Sequence, residues 1–251
     1  MPDLTIIYLT TNKMPQRWVE FHREHLLRAI GDRPMVVISA NEMDWGRKDT
    51  KYLRQQEPFS AWNVYVQLYN GVCEARTPFI AVAEDDTLYT KEHFRDFRPR
   101  SDEVAYDMAR WSVFSWQERP MFSMIRKRGN FTMIGPRELV VDALAERMHL
   151  HPEATPDLEK RAGEIGRPDV ERRLRVTRRK AVEFYARKPI VNLAHPQGLS
   201  PTYIGHPTLK RAHGEMRAYE IPHWGKAADI TEIYNQGIRE EQDGATTADP
   251  A

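Results

Sequence analysis

The chain has 251 residues, 41% hydrophobic and 29% charged, with a net charge of +1. This is the composition of a soluble globular protein, and no apolar run approaches the roughly 18 residues that a membrane span needs. The single cysteine, Cys73, excludes an intrachain disulfide and a four-cysteine zinc site, fits a reducing, cytoplasmic setting, and reads as a small core residue.

In chain order, the opening MPDLTIIYLTTNK has no basic segment ahead of its apolar run, so it reads as a first strand, not a signal peptide. The run from Leu4 to Leu9 ends in a polar loop at Thr10, Thr11 and Asn12. Pro15 can start a helix with Val19, Leu26 and Ile30 on one face, and Gly31 stops it. MVVIS, 35–39, is a second strand, and a charged loop from Asn41 to Pro58 follows. In SAWNVYVQLYNGVCEAR, the residues Trp62, Tyr65, Val66, Tyr69, Val72 and Cys73 keep helical spacing, with Ser60 as the N-cap. Pro78 ends that helix and a third strand begins. The β-α-β-α-β order implies a parallel, doubly wound sheet whose ligands sit beyond the carboxyl ends of its strands.

Beyond residue 100 the pattern changes. Residues 104–116 read as antiparallel strands, and FSMIRKR and FTMIG as a strand pair turning at Gly129 and Asn130. A helix runs from Pro136 to about Met148, and a Pro- and Gly-punctuated loop leads to a basic helix over about 169–187. PIVNLA is one more strand. Residues 239–251 read as a disordered tail. Residues 157–188 carry 11 Lys or Arg against 6 Asp or Glu, which leaves the rest of the chain acidic.

The third strand, Phe79 to Ala83, runs directly into Glu84, Asp85 and Asp86. Three adjacent carboxylates repel one another unless a cation or donors offset the repulsion, and a divalent metal does so well. As a continued strand, Glu84 and Asp86 would share one side and Asp85 the other. The alternative is a solvated acidic turn.

The stretch SAWNVYVQLYNGVCEARTPFIAVAEDDTLYTKEHF resembles the core of GT-A, family-2-like glycosyltransferases, and LTIIYLTTNK is similar to that family's first strand and nucleotide loop. The resemblance covers about residues 3–95. It implies a mostly parallel sheet flanked by helices with an antiparallel extension. A single catalytic domain would span 1–238, with a nucleotide-binding half to about 100 and an acceptor half from 101. By the same resemblance, Glu84-Asp85-Asp86 stands where the family has a D-x-D type motif. Glu84 and Asp86 would then hold Mn or Mg, Asp85 would contact nucleotide or sugar, and Thr10, Thr11 and Asn12 would line the pocket of a nucleotide-sugar donor. A histidine from the C-terminal region, His195 or His206, would join the metal, and Asp169 would be the catalytic base. The chain departs from the pattern in having Glu first in the motif, and Glu42 or Asp44 away from the usual acidic position after strand 2.

Other residues have more than one reading. Asp107 and Trp111 are candidates for the acceptor pocket, although Trp111 and Trp116 also suit core packing. His22 and His25 read as surface positions on a helix. Arg172, Arg175 and Arg179, on the basic helix, could contact phosphate of a donor or of a nucleic-acid acceptor such as a hydroxymethylated base in DNA. Two rival functions follow: a non-catalytic nucleic-acid-binding protein using that helix, and a nucleotidyltransferase, which the glycine-free loop TTNKMPQ disfavours.

Overall fold

The structure, a computed structural model, describes residues 2–43, 45–55, 60–116, 122–124, 128–153, 155, 157–158, 162–196 and 216–246. Its centre is a seven-stranded sheet of β3 (Thr50–Arg54), β2 (Met35–Ser39), β1 (Leu4–Leu9), β4 (Phe79–Glu84), β9 (Met133–Pro136), β6 (Glu103–Asp107) and β10 (Lys180–Phe184), side by side in that order. Every strand runs in one direction except β9, which is antiparallel to both of its neighbours. The expected α/β class, a mostly parallel sheet with an antiparallel extension, is what is observed.

Alternation along the central strands supplies two apolar layers. Ile7, Ile80 and Val82 face α2 (Ala61–Glu74), α4 (Arg137–Leu150) and α5 (Pro168–Leu174). Leu4, Ile6, Tyr8, Ala81 and Ala83 face α1 (Gln16–Ile30) and α3 (Lys91–Arg95). Ser60 caps α2 by accepting from the Asn63 N–H at 3.1 Å. The helix lies so close to the sheet that a Cβ on Gly71 would stand 2.7 Å from Ile7 and Ile38 side-chain carbons.

A second sheet extends the molecule, with β5 (Thr87–Leu88), β11 (Ile190–Ala194), β7 (Arg110–Phe114), β8 (Phe122–Met124) and β12 (Met216–Ala218) adjacent in that order. With α1 and the C-terminal α6 (Ala227–Thr246) it encloses a third core of Met14, Trp18, Leu88, Trp111, Val113 and Leu193. A short ribbon of β13 (Glu220–Ile221) and β14 (Gly225–Lys226) precedes α6. Among the described residues no helix is long and apolar enough to cross a membrane.

Several expectations are corrected. The charged loop 41–58 contains β3, an edge strand with a half-exposed face. Strands β6 and β7 do not pair with each other, nor do β8 and β9: each pair is divided between the two sheets. The basic helix over 169–187 is a short helix only. Arg175 adopts φ 57 and ends α5, and the β-branched pair Val176 and Thr177 leads into β10, parallel to β6. Residues 239–246, expected in a disordered tail, continue α6. Cys73 is exposed and lies outside the core.

Candidate active site

The three carboxylates stand at the carboxyl end of β4. Glu84 is its last residue, in register with Leu9 at the end of β1, and Asp85–Asp86 form the turn that carries the chain into β5 of the second sheet. The turn breaks strand alternation, so each carboxylate meets different neighbours. Asp85 turns to the loop after β1, where its Oδ2 accepts from the Thr10 hydroxyl. Asp86 turns to the second sheet: its Oδ1 accepts from the Thr87 hydroxyl at 2.9 Å, and Thr87 Oγ1 in turn accepts from Asn192 Nδ2 at 3.0 Å. Glu84 faces the buried Arg110 and Glu164 through space.

All three carboxylates are half-buried and all hold protons more tightly than usual. Burial and then the charges of Asp86 and Asp85 push Glu84 well above the ordinary carboxylate range. Burial and the Asp86 charge raise Asp85 to about 7, against hydrogen bonds from Thr10 and the backbone. Burial also raises Asp86, opposed by the positive field of His195 and by bonds from Thr87 and Asn192. Arg110 is pulled down to about 10 by burial, a loss opposed by Glu164, Asp107 and Glu84. Ionising the cluster is therefore costly, through burial first and neighbouring carboxylate charge second, and a bound cation would offset that cost.

The loop after β1 is built to stay put beside Asp85. Thr10 Oγ1 also accepts the Asn12 N–H at 3.0 Å, Asn12 takes φ 56, and its Oδ1 accepts the Asn41 N–H at 3.0 Å. Asparagine tolerates this left-handed conformation better than most residues. Beneath the turn, Trp18 Nε1 donates to the Asp85 carbonyl at 2.7 Å. His22 Nε2 reaches the carbonyls of Glu84 at 3.1 Å and Thr87 at 3.0 Å. Both partners are acceptors, so Nε2 carries the proton. Tyr89 Oη accepts the Glu84 N–H at 3.0 Å and donates to the Phe131 carbonyl at 3.0 Å. His22 is thus a buried brace, where a surface position was expected; burial lowers it to about 4, against the Thr87 and Glu84 carbonyls, and keeps it neutral at pH 7.

His195 follows β11, packs on Tyr234 at 5.7 Å between ring centroids, and projects its field onto Asp86. His206 and Asp44 lie outside the described residues. Asp107 is fully buried: Oδ2 meets His93 Nδ1 at 2.9 Å, and Oδ1 accepts the N–H of Ala109 at 2.9 Å and of Ala186 at 3.2 Å, so it ties β6 down. Trp111, 7% exposed, belongs to the third core.

Asp169 is paired with Arg167 at 2.9 Å and Arg173 at 3.4 Å. Slight burial works the other way, but the hydrogen bond and charge of Arg167, with Arg173, hold its proton affinity below the usual value. The basic run is largely neutralised by its own neighbours: Arg179 by Glu146 at 3.3 Å, Lys180 by Asp102, Arg187 by Asp96 at 3.1 Å and Lys188 by Glu92 at 3.6 Å. Arg172, Arg175 and Arg178 are exposed.

Among the described residues, no three His, Cys, Asp or Glu side chains form a ready metal cage. The donor chemistry nevertheless suits a hard divalent ion held by one or two carboxylates, with phosphate and water completing its shell. Glu84 and Asp86 repel each other and stand at an accessible strand end, so these residues fit such an ion.

No family model and no curated protein matches the sequence. Solved structures with a similar outline include a mannosyltransferase from Pyrobaculum calidifontis in complex with GDP-Man and Mn2+, at TM-score 0.48 and 11% identity, covering 81% of this chain and 60% of that one. TarS of S. aureus gives TM-score 0.48 and 13% identity over 78% of this chain and 37% of its own. A nucleotidyl transferase from Methanothermobacter gives TM-score 0.42 and 11% identity over 96% and 100%. The chain spans less than two thirds of the length of the mannosyltransferase and of TarS. At TM-scores below 0.5 these likenesses carry no argument about activity.

Proposed function

We propose that this chain is a metal-dependent glycosyltransferase of GT-A type, moving a sugar from a nucleotide-sugar donor to an acceptor hydroxyl. The observation that carries the reading is the acidic turn: three half-buried, mutually repelling carboxylates at the carboxyl end of a central parallel strand, beside the Thr10–Asn12 loop. Open parallel sheets bind ligands at this edge. Glu84 and Asp86 would hold the divalent ion, with His195 beside Asp86. Once bound, the ion supplies Lewis-acid stabilisation to the charge of a departing nucleoside diphosphate. Thr10, Thr11, Asn12 and Asp85 would orient the nucleotide and sugar from the β1 side.

The nucleotidyltransferase rival is disfavoured by the glycine-free loop after β1, because a triphosphate is usually cradled by glycine backbone. The nucleic-acid-binding rival, and DNA as acceptor, both drew on a continuous basic helix; α5 ends at Leu174, and most of the cations beyond it are engaged in ion pairs. The proposal is therefore for a hydroxyl acceptor without a nucleic-acid requirement.

The test is a thermal-shift panel of UDP, GDP, CDP, ADP and TDP, each with and without Mn2+. One or more diphosphates should stabilise the wild-type chain only when metal is present, and Glu84→Ala with Asp86→Ala should remove that shift. Absence of stabilisation by every diphosphate overturns the proposal.

A further inference from the structure

We propose that Trp18 and His22 are positioning residues that set the aim of the acidic turn for its metal–diphosphate ligand. This inference rests on the glycosyltransferase reading above. Its ground is a run of four consecutive carbonyls, each held from outside the turn. His22 takes those of Glu84 and Thr87, Trp18 takes Asp85, and the Leu193 N–H of β11 takes Asp86 at 2.7 Å. A solvent-facing turn leaves its carbonyls to water. This one commits them all to protein donors, two of which are side chains four residues apart on one face of α1.

The geometry has a specific consequence. One imidazole N–H shared by the carbonyls of Glu84 and Thr87 ties together the two ends of the segment that contains Asp85 and Asp86. Like charges would otherwise drive this segment to unwind toward water. With the peptide planes fixed, Asp85 stays directed to the Thr10 loop and Asp86 to Thr87, on either side of the place a later ligand would take. This is preorganisation: the unfavourable arrangement is established during folding, and binding need not impose it. Trp18 and His22 are 0% and 2% exposed, so they act through the turn without touching the ligand themselves.

The experiment compares Trp18→Phe, His22→Leu and His22→Gln in the full chain, with Leu26→Ala as the control. Leu26 is a core residue of the same helix that packs in the layer beneath the sheet. Two quantities are read: the melting temperature without ligand, and the Mn2+ concentration giving half the maximal thermal shift at fixed UDP or GDP, whichever stabilises the wild type. Trp18→Phe and His22→Leu should raise the Mn2+ requirement about tenfold. His22→Gln, which keeps a side-chain N–H, should stay within about threefold of wild type, and Leu26→Ala should lower the melting temperature with the Mn2+ requirement unchanged.

A wild-type Mn2+ requirement in Trp18→Phe and His22→Leu, or an equal rise in Leu26→Ala, overturns the proposal. If Trp18→Phe does not fold, the two His22 variants decide. A wild-type chain that no diphosphate stabilises overturns the functional reading itself, an outcome distinct from the failure of positioning alone.

Discussion

The acidic turn at 84–87 and the basic segment at 167–188 are both dense in charge, and the structure treats them in opposite ways. In the basic segment four cations find acids on adjacent elements: Glu146 on α4, Asp102 before β6, and Asp96 and Glu92 at α3. In the acidic turn the backbone is held at every carbonyl while the carboxylates remain close, half-buried and raised in proton affinity. Charge neutralised within the fold serves as scaffold. Charge gathered at a braced position, with its repulsion left standing, is arranged for something that binds.

The sharpest way to break this comparison is to delete charge from each side. Glu84→Ala with Asp86→Ala should lower metal-dependent sugar transfer or donor hydrolysis by at least about 100-fold, a loss on the scale of removing a principal electrostatic contribution. Arg172→Ala with Arg175→Ala and Arg178→Ala should change it less than about threefold. Equal losses in a rate assay would mean that the basic segment also serves the ligand.

A second measurement reads the cost of ionising a buried carboxylate in this turn. The Asp85 carboxyl is raised to about 7 in the folded chain from an ordinary 3.8. Between those values the native state binds more protons than the unfolded state, so its stability falls as pH rises. Asp85→Asn should therefore stabilise the metal-free chain by roughly 2 kcal/mol at pH 8 and little at pH 4, a value discounted for partial exposure. Denaturant melts at both pH values read this directly. A gain independent of pH would mean that the carboxylate is not strained.

The smallest effect is expected at Asp169. Because it is clamped by two guanidinium groups at a helix start, Asp169→Asn should cost about 0.5–1 kcal/mol in stability and leave turnover within threefold. A loss of 100-fold in turnover would mark it as the base.

The central strands and their helices were legible in the sequence because burial on one or both faces leaves a local period: β1, β2, β4, α1, α2 and α4 all follow from it. The two strands of the large sheet that escaped, β3 and β10, are its two edges. An edge strand is half solvated and carries charge, so Lys51, Arg54, Lys180 and Glu183 masked the alternation. The division of β6 from β7, and of β8 from β9, depends on pairing between distant segments, which no local pattern encodes.

Within the site, the acidic triplet and the Thr10–Asn12 loop were visible as residue types at a strand end. The brace was not. Histidine at position 22 satisfies the helical period like any other residue, and only the three-dimensional path of the turn above it supplies the carbonyls it meets. The nearest available signal was Trp18 and His22 at i, i+4 spacing, on the face that Leu26 and Ile30 already mark as inward. Arg110 and Glu164 were missed for the same reason: their relation to Glu84 is made by tertiary packing.

The passage of the chain from β4 into β5 has a mechanical side. Glu84 belongs to one sheet, while Asp86 is fastened to the other through Leu193 and the Thr87–Asn192 contact. A ligand grasped by both acids would act as a rivet across the seam, adding a link between two layers that the chain also joins from β6 to β7 and from β10 to β11. Amide hydrogens of β5 and β11 should then exchange more slowly once the site is filled, far beyond the residues in direct touch with the ligand.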